Sequence, residues 1–193
     1  VALKDVTVSF AKDKLSAIIG PNGAGKSTFF NVISGAFPAT SGRVSFEGRD
    51  ITHLPPHEYA RRGIAKSFQI TNVFPYLSAH ENVRVAAQMQ ASRYNMWTQR
   101  AGMRELIERA DALLERVGIL AKRSAAARDM AHGEQRCLEI AMALACKPRL
   151  LLLDEPTAGM SPEETVKMMD LIVRLAAERT VILVEHKMKL VMG

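Results

Sequence analysis

Only two of the 193 residues are cysteine, one is tryptophan, and aromatic side chains make up 6%. Two thiols cannot build the disulfide framework on which small secreted domains rely. Cys137 and Cys146 lie nine residues apart on an expected helix. At about 100° per residue they point to opposite faces and can neither pair nor share a metal there. No apolar run approaches the roughly 18 residues of a membrane span; the longest, such as Ile140 to Cys146, are short and bounded by charge. Lys4, Asp5, Lys12, Asp13 and Lys14 break up the N-terminal region before the apolar core of a signal peptide could form. These absences predict a chain that does not itself cross a bilayer, with the cytosol as its default compartment. Long runs of Lys and Arg are also missing, since 26 basic against 20 acidic residues leave a net charge of only +6. One stretch stands out: Asn82 to Arg104 carries Arg84, Arg93, Arg100 and Arg104 and no acid. It could meet an acidic partner, a membrane surface or nucleic acid, or simply face solvent.

What is present is the material of a globular domain, with 48% hydrophobic and 24% charged residues and enough length for a sizeable core. Leu15 to Ile19 reads as a strand, followed by a Gly-rich loop and a helix over Lys26 to Ser34. Gly42 to Phe46 reads as a strand closed by the turn Glu47-Gly48, and Pro55-Pro56 opens a short helix to about Arg62. Met103 to Val117 is amphipathic, with Met103, Leu106, Ile107, Ala110, Leu113, Leu114 and Val117 on one face and Gly118 as its stop. A polar connector over 121–129 leads to a helix from about Glu134 to Cys146. The four leucines Leu150 to Leu153 suit a strand buried on both faces of a parallel sheet. Ser161-Pro162-Glu163-Glu164 caps a helix expected to run from Pro162 to about Glu178, and Thr180 to Val184 is the next strand. This alternation predicts an α/β fold with a mainly parallel sheet and an inserted helical lobe over 71–146.

Gly20-Pro21-Asn22-Gly23-Ala24-Gly25-Lys26-Ser27-Thr28 satisfies the P-loop pattern, and it does so between an expected strand and an expected helix. Its glycines let backbone N–H groups converge on phosphate oxygens at a helix N-terminus, where negative charge is favoured. Lys26 would reach the β- and γ-phosphates and the Ser27 hydroxyl would ligate Mg²⁺. Such an enzyme also needs a carboxylate for the magnesium shell and a group that addresses the attacking water. Asp154 and Glu155, at the end of the leucine strand, supply one each.

In this context the chain resembles the ATP-binding subunits of ABC transporters, because further motifs follow in that family's order. The resemblance implies a P-loop NTPase core of RecA-like type over 1–70 and 147–193, a helical subdomain over 71–146, and ATP with Mg²⁺ as ligands. Gln69 in Ser67-Phe68-Gln69 is similar to the Q-loop, which implies sensing of Mg²⁺ and the γ-phosphate and coupling to a membrane subunit. Met130-Ala131-His132-Gly133-Glu134-Gln135-Arg136 occupies the signature position, so Ala131, His132, Gly133 and Glu134 would press on nucleotide held by a second subunit in a head-to-tail dimer. Ala158-Gly159-Met160-Ser161 would be the D-loop, and His186 resembles the switch histidine that contacts the γ-phosphate. Asp50-Ile51-Thr52-His53-Leu54-Pro55-Pro56-His57, Asn72-Val73-Phe74-Pro75, Glu81-Asn82-Val83 and Pro156 to Thr165 are similar to the subunits of branched-chain amino-acid uptake systems. A urea or amide importer shares much of this wording. The implied partners are a like or unlike ATPase subunit, membrane permease subunits and, indirectly, a periplasmic solute-binding protein. The implied place is the cytoplasmic face of the bacterial inner membrane.

Ala131 stands where the family usually has Ser, which should weaken closure on the partner's γ-phosphate, and Met130 replaces Leu at nearly equal volume. The resemblance begins past the family's adenine-stacking aromatic and stops soon after His186, so truncation at both ends and weaker ATP binding are expected. Two readings of other classes stay open. One is an ABC ATPase acting on nucleic acid, disfavoured because such proteins bring tandem domains or coiled-coil inserts. The other is a module that binds nucleotide without hydrolysing it.

Overall fold

The structure is a computed structural model that describes residues 3–67, 73–88 and 99–185, the side chains of 99–103 excepted. In chain order the elements begin with β1 (Leu15–Ile19), α1 (Lys26–Ile33), β2 (Ser45–Phe46), β3 (Arg49–Asp50), α2 (Pro56–Arg61) and β4 (Ile64–Ser67). There follow α3 (Ala79–Gln88), α4 (Gln99–Arg116), α5 (His132–Ala145), β5 (Leu150–Asp154), α6 (Pro162–Ala176) and β6 (Thr180–Glu185). The chain divides into two units. One comprises residues Val1–Gln69, Pro148–Ala158 and Thr165–Gly193, and the other Ile70–Lys147 and Gly159–Glu164.

The first unit is built on a parallel sheet of order β1-β6-β5-β4, the α/β architecture expected from the alternation of elements. Every residue of β5 is buried, because it has a strand on each side and apolar neighbours on both faces. Leu150 and Leu152 pack with Phe30 of α1, Ile182 and Val184 of β6, Ile64 of β4, and Ile51 and Tyr59. Leu151, Leu153, Val181 and Leu183 alternate to the opposite face, all at 0% exposure. The antiparallel pair β2 and β3 is joined by Glu47-Gly48 with φ of 49° and 76°. That two-residue left-handed geometry suits a tight hairpin. The paired strand is shorter than the expected Gly42 to Phe46, since Gly42 has φ of 88° and leaves the extended region.

Strand β4 was not legible from its own residues, Ile64-Ala65-Lys66-Ser67, which show neither an apolar run nor alternation. Its partner creates it: Gly63 O accepts from the N–H groups of Arg149 (2.8 Å) and Leu150 (3.0 Å), and β4 then runs parallel with β5.

In the second unit α3, α4 and α5 pack on one another. Their buried positions are rich in alanine, with Ala79, Ala86, Ala87, Ala110, Ala141 and Ala145 joined by Val83, Leu114, Leu138 and Leu144. Small side chains let helices approach closely, and the larger ones fill the gaps between them. Asn82 is fully buried, yet its polar atoms are matched. Its Oδ1 accepts from Phe74 N–H (2.7 Å), and its Nδ2 donates to the carbonyls of Phe74 (3.1 Å), Leu77 (3.3 Å) and Ser78 (3.0 Å). The segment before α3 is thereby tied to the helix itself. Ile107, expected on the apolar face of α4, is 37% exposed, whereas Ala110, Leu114 and Val117 are buried as the pattern requires.

Neither cysteine forms a disulfide. Burial, reinforced by the carboxylates of Glu134 and Glu164, pushes the Cys137 thiol up to about 11, and burial raises Cys146 as well.

Candidate functional site

The loop after β1 owes its shape to residues that can turn the backbone. Gly23 (φ 81°) and Gly25 (φ 83°) sit in the left-handed region, where a Cβ is strained. Gly25 is the N-cap of α1, with no side-chain cap and no acid in the first turn. The leading N–H groups of α1, those of Lys26, Ser27 and Thr28, thus lack intrahelical acceptors and form the kind of donor set that suits a phosphate. Pro21, Asn22, Gly23 and Ala24 are exposed, as is Ser27. Lys26 is 8% exposed, and its Nζ donates to the carbonyls of Gly20 (2.7 Å) and Pro21 (2.8 Å), which draws the ammonium over the loop.

Asp154 closes β5 at 5% exposure, and Glu155 follows it. All four strands of the sheet are parallel, so the loop after β1 and the Asp154-Glu155 pair leave the same edge. Only β6 separates them, a span of about 10 Å. Ser27 and Asp154 offer one hydroxyl and one carboxylate. This set fits Mg²⁺, which prefers one or two protein oxygens and completes its shell with phosphate and water. Glu155 has φ of 48°, in the left-handed region without being glycine. Such a conformation costs about 1–3 kcal/mol and persists only where its surroundings impose it. Here Glu155 N–H donates to Val184 O (3.0 Å), and Ala158 N–H closes the turn on Glu155 O (3.1 Å).

Two charged groups beside this edge escaped the sequence reading. Lys66 of β4 donates to Asn31 Oδ1 of α1 and lies 5.5 Å from the centre of the Phe30 ring. Burial lowers its pKa, and the nearby charge of Asp154 opposes that shift. Glu185, the last residue of β6, is 3% exposed and accepts from the Thr157 hydroxyl at 2.7 Å. A carboxylate directly after Ile182-Leu183-Val184 was a readable strand-end signal, but its partner 28 residues earlier was not.

In the second unit α5 starts at His132, two residues earlier than Glu134. The cause is Glu134, whose Oε2 accepts from Ala131 N–H at 3.0 Å. This is half of a capping box, since the methyl of Ala131 has no oxygen to return the bond. Glu134 is also 3.4 Å from Lys122 Nζ. Ala131 and His132 are exposed, and Gly133 is buried against Glu164, whose Oε1 would lie 2.6 Å from a Cβ placed there.

Gln69 and His186 lie outside the described residues, so the P-loop, Asp154 and Glu155 are the expected site residues brought to one sheet edge. Residues 131–134 belong to the other unit. Arg84 donates to both carboxylate oxygens of Glu81 (Nε at 3.1 and 3.0 Å, Nη2 at 2.6 Å), and Arg104 Nε pairs with Glu108 at 2.9 Å. Arg93 lies outside the described residues, and the side chain of Arg100 does too. Exposed apolar groups occur just before α3, where Phe74 is 50% and Tyr76 78% exposed.

Residues 3–158 match the family described as ABC transporter. The chain is 38% identical over 201 residues to the high-affinity branched-chain amino acid transport ATP-binding protein BraF of Pseudomonas aeruginosa, spanning 100% of this chain and 79% of that one. It is 36% identical over 202 residues to LivG of Salmonella typhimurium and 35% over 201 to LivG of Escherichia coli, both high-affinity branched-chain amino acid transport ATP-binding proteins, again across all of this chain and 79% of each. Among solved structures, an ABC transporter's ATP-binding cassette in its ADP conformation superposes with a TM-score of 0.85 at 32% identity, covering 98% of this chain and 77% of that one. A dimeric cassette in a post-hydrolysis state bound to ADP and Pi gives 0.83 at 29% identity, covering 98% and 82%.

Proposed function

The chain belongs to the ABC transporter family of ATP-binding proteins, and from that premise we propose that it is the ATP-hydrolysing motor subunit of an importer of branched-chain amino acids. The observation that supports the reading best is the pairing of a P-loop with Asp154 and Glu155 at one edge of one sheet. The solute class rests on the relatives at 35–38% identity over the whole chain.

In this reading the N–H groups at the head of α1 orient the triphosphate, and Lys26 balances charge that builds on the β- and γ-phosphates. Ser27 and Asp154 would hold Mg²⁺, and the family resemblance assigns Gln69 to the same shell. Held there, Mg²⁺ would supply positive charge against that developing on the transferred phosphoryl group. Glu155 orients the attacking water and takes up its proton as the water closes in line on the γ-phosphorus, while the bond from that phosphorus to the β–γ bridging oxygen breaks and ADP leaves. His186 steadies the γ-phosphate. Two subunits close head to tail, so that Ala131 to Glu134 of one meet nucleotide on the other, and the positive end of α5 faces the γ-phosphate. Lacking a hydroxyl at 131, this contact falls to the backbone N–H groups and the helix end.

Closure moves permease subunits at the cytoplasmic face of the membrane, with the solute-binding protein acting from the other side. We place part of the permease contact on the exposed side chains of Phe74 and Tyr76, in the segment that precedes the basic stretch 84–104. The Tyr76 ring lies 4.9 Å from the Arg128 guanidinium, a cation–π contact that steadies it without covering it. Steady-state hydrolysis of Mg²⁺-ATP, measured alone and with permease subunits in bilayers, tests this. The permease is expected to stimulate turnover, and Phe74→Asp with Tyr76→Asp to remove the stimulation while basal turnover stays. Stimulation that survives both changes places the contact elsewhere, and hydrolysis indifferent to the permease rejects the motor.

A further inference from the structure

We propose that Glu185 is a positioning residue for Glu155, acting through Thr157; the inference rests on Glu155 being the group that addresses the attacking water. Three consecutive residues, Glu155-Pro156-Thr157, form the start of the turn that leaves β5, and the end of β6 grips both ends of that segment. Val184 O accepts from Glu155 N–H at 3.0 Å. One residue on, Glu185 Oε1 accepts from both the hydroxyl (2.7 Å) and the N–H (3.3 Å) of Thr157. Both side chains are 3% exposed, so this is an interior contact and not a solvated pair.

Two features separate it from ordinary packing. Glu155 is held at φ 48° without being glycine, and a backbone in that region relaxes unless neighbouring groups over-determine it. The element that supplies the restraint carries a buried carboxylate where an apolar strand end would desolvate at no such cost. A carboxylate oxygen shared between a hydroxyl and an N–H of one residue fixes that residue in two directions, which an apolar side chain cannot do. The fixed residue lies two positions from the Glu155 side chain. Reaction rates are sensitive to the placement of such a group on the scale of an ångström.

The test compares Glu185→Leu, Thr157→Val, Glu185→Gln and Glu155→Gln with the unchanged chain, reading kcat, KM for Mg²⁺-ATP, bound nucleotide per chain and melting temperature. Glu185→Leu and Thr157→Val are expected to lower kcat by roughly ten- to a hundred-fold while KM stays within about two-fold and nucleotide stoichiometry holds. Glu185→Gln keeps an acceptor oxygen and is expected to stay within about three-fold of the unchanged kcat. Should Glu185→Leu fail to fold, the nearly isosteric Thr157→Val carries the test. Unchanged kcat in Thr157→Val overturns the proposal, as does a fall in kcat matched by lost nucleotide binding, which marks a merely structural role. Glu185→Gln falling as far as Glu185→Leu also overturns it, since the charge and not the acceptor would then matter. Full hydrolysis by Glu155→Gln would instead remove the premise, an outcome distinct from all of these.

Discussion

Glu155→Gln is expected to lower ATP turnover by roughly a hundred- to ten-thousand-fold, the range over which a positioned general base contributes, and to leave nucleotide affinity nearly unchanged. The amide matches the carboxylate in size and can still accept a hydrogen bond from water, so the bound geometry survives. It cannot take up a proton, so water that is held in line is no longer activated. The backbone of the turn does not depend on the side chain's charge, because Glu155 N–H to Val184 O and Ala158 N–H to Glu155 O are both main-chain bonds. Closure driven by two ATP molecules should therefore persist because the hydrolysis that would end it is blocked, and the variant should run as a stable dimer in Mg²⁺-ATP on a sizing column. Turnover close to that of the unchanged chain would assign the water to another group.

Lys26→Ala should instead act on binding. The ammonium sits over the loop on two carbonyls, at 2.7 and 2.8 Å, and is 8% exposed. Its removal takes a positive charge from the loop and leaves Gly20 O and Pro21 O without that donor. A charge-assisted hydrogen bond is worth about 1.5–3 kcal/mol, and with about 1.4 kcal/mol per tenfold change the affinity for Mg²⁺-ATP should fall roughly ten- to a hundred-fold. Lys26→Arg is not a rescue, since a planar fork does not fit a place shaped for a compact ammonium. Calorimetric titration measures the loss directly. ATP should also raise the melting temperature of the unchanged chain and not that of the variant at the same concentration. Equal affinity in the two would detach Lys26 from the phosphates.

Groups whose signal is local were legible in the sequence. The P-loop lies within nine residues and announces its own strand and helix, and the four leucines before Asp154 describe a doubly covered strand without reference to any partner. Signals that depend on distant partners were not. Residues 64–67 become β4 only because β5 offers a ladder, and Thr157 reveals nothing until Glu185 is set beside it. The pairing of Arg84 was hidden for a related reason: its acid is Glu81, one residue before the basic stretch begins, and one helical turn brings them together. The start of α5 was placed late because Ala131 carries no capping side chain, and the cap comes from Glu134 reaching backwards.

The motor assignment is tested most directly by uptake of labelled leucine, isoleucine and valine into vesicles that enclose Mg²⁺-ATP and carry the permease subunits with this chain on the ATP side, in the presence of the solute-binding protein. Uptake that requires ATP, tracks hydrolysis and disappears with Glu155→Gln is the predicted result. Hydrolysis that proceeds at full rate while none of the three amino acids accumulates would contradict the account.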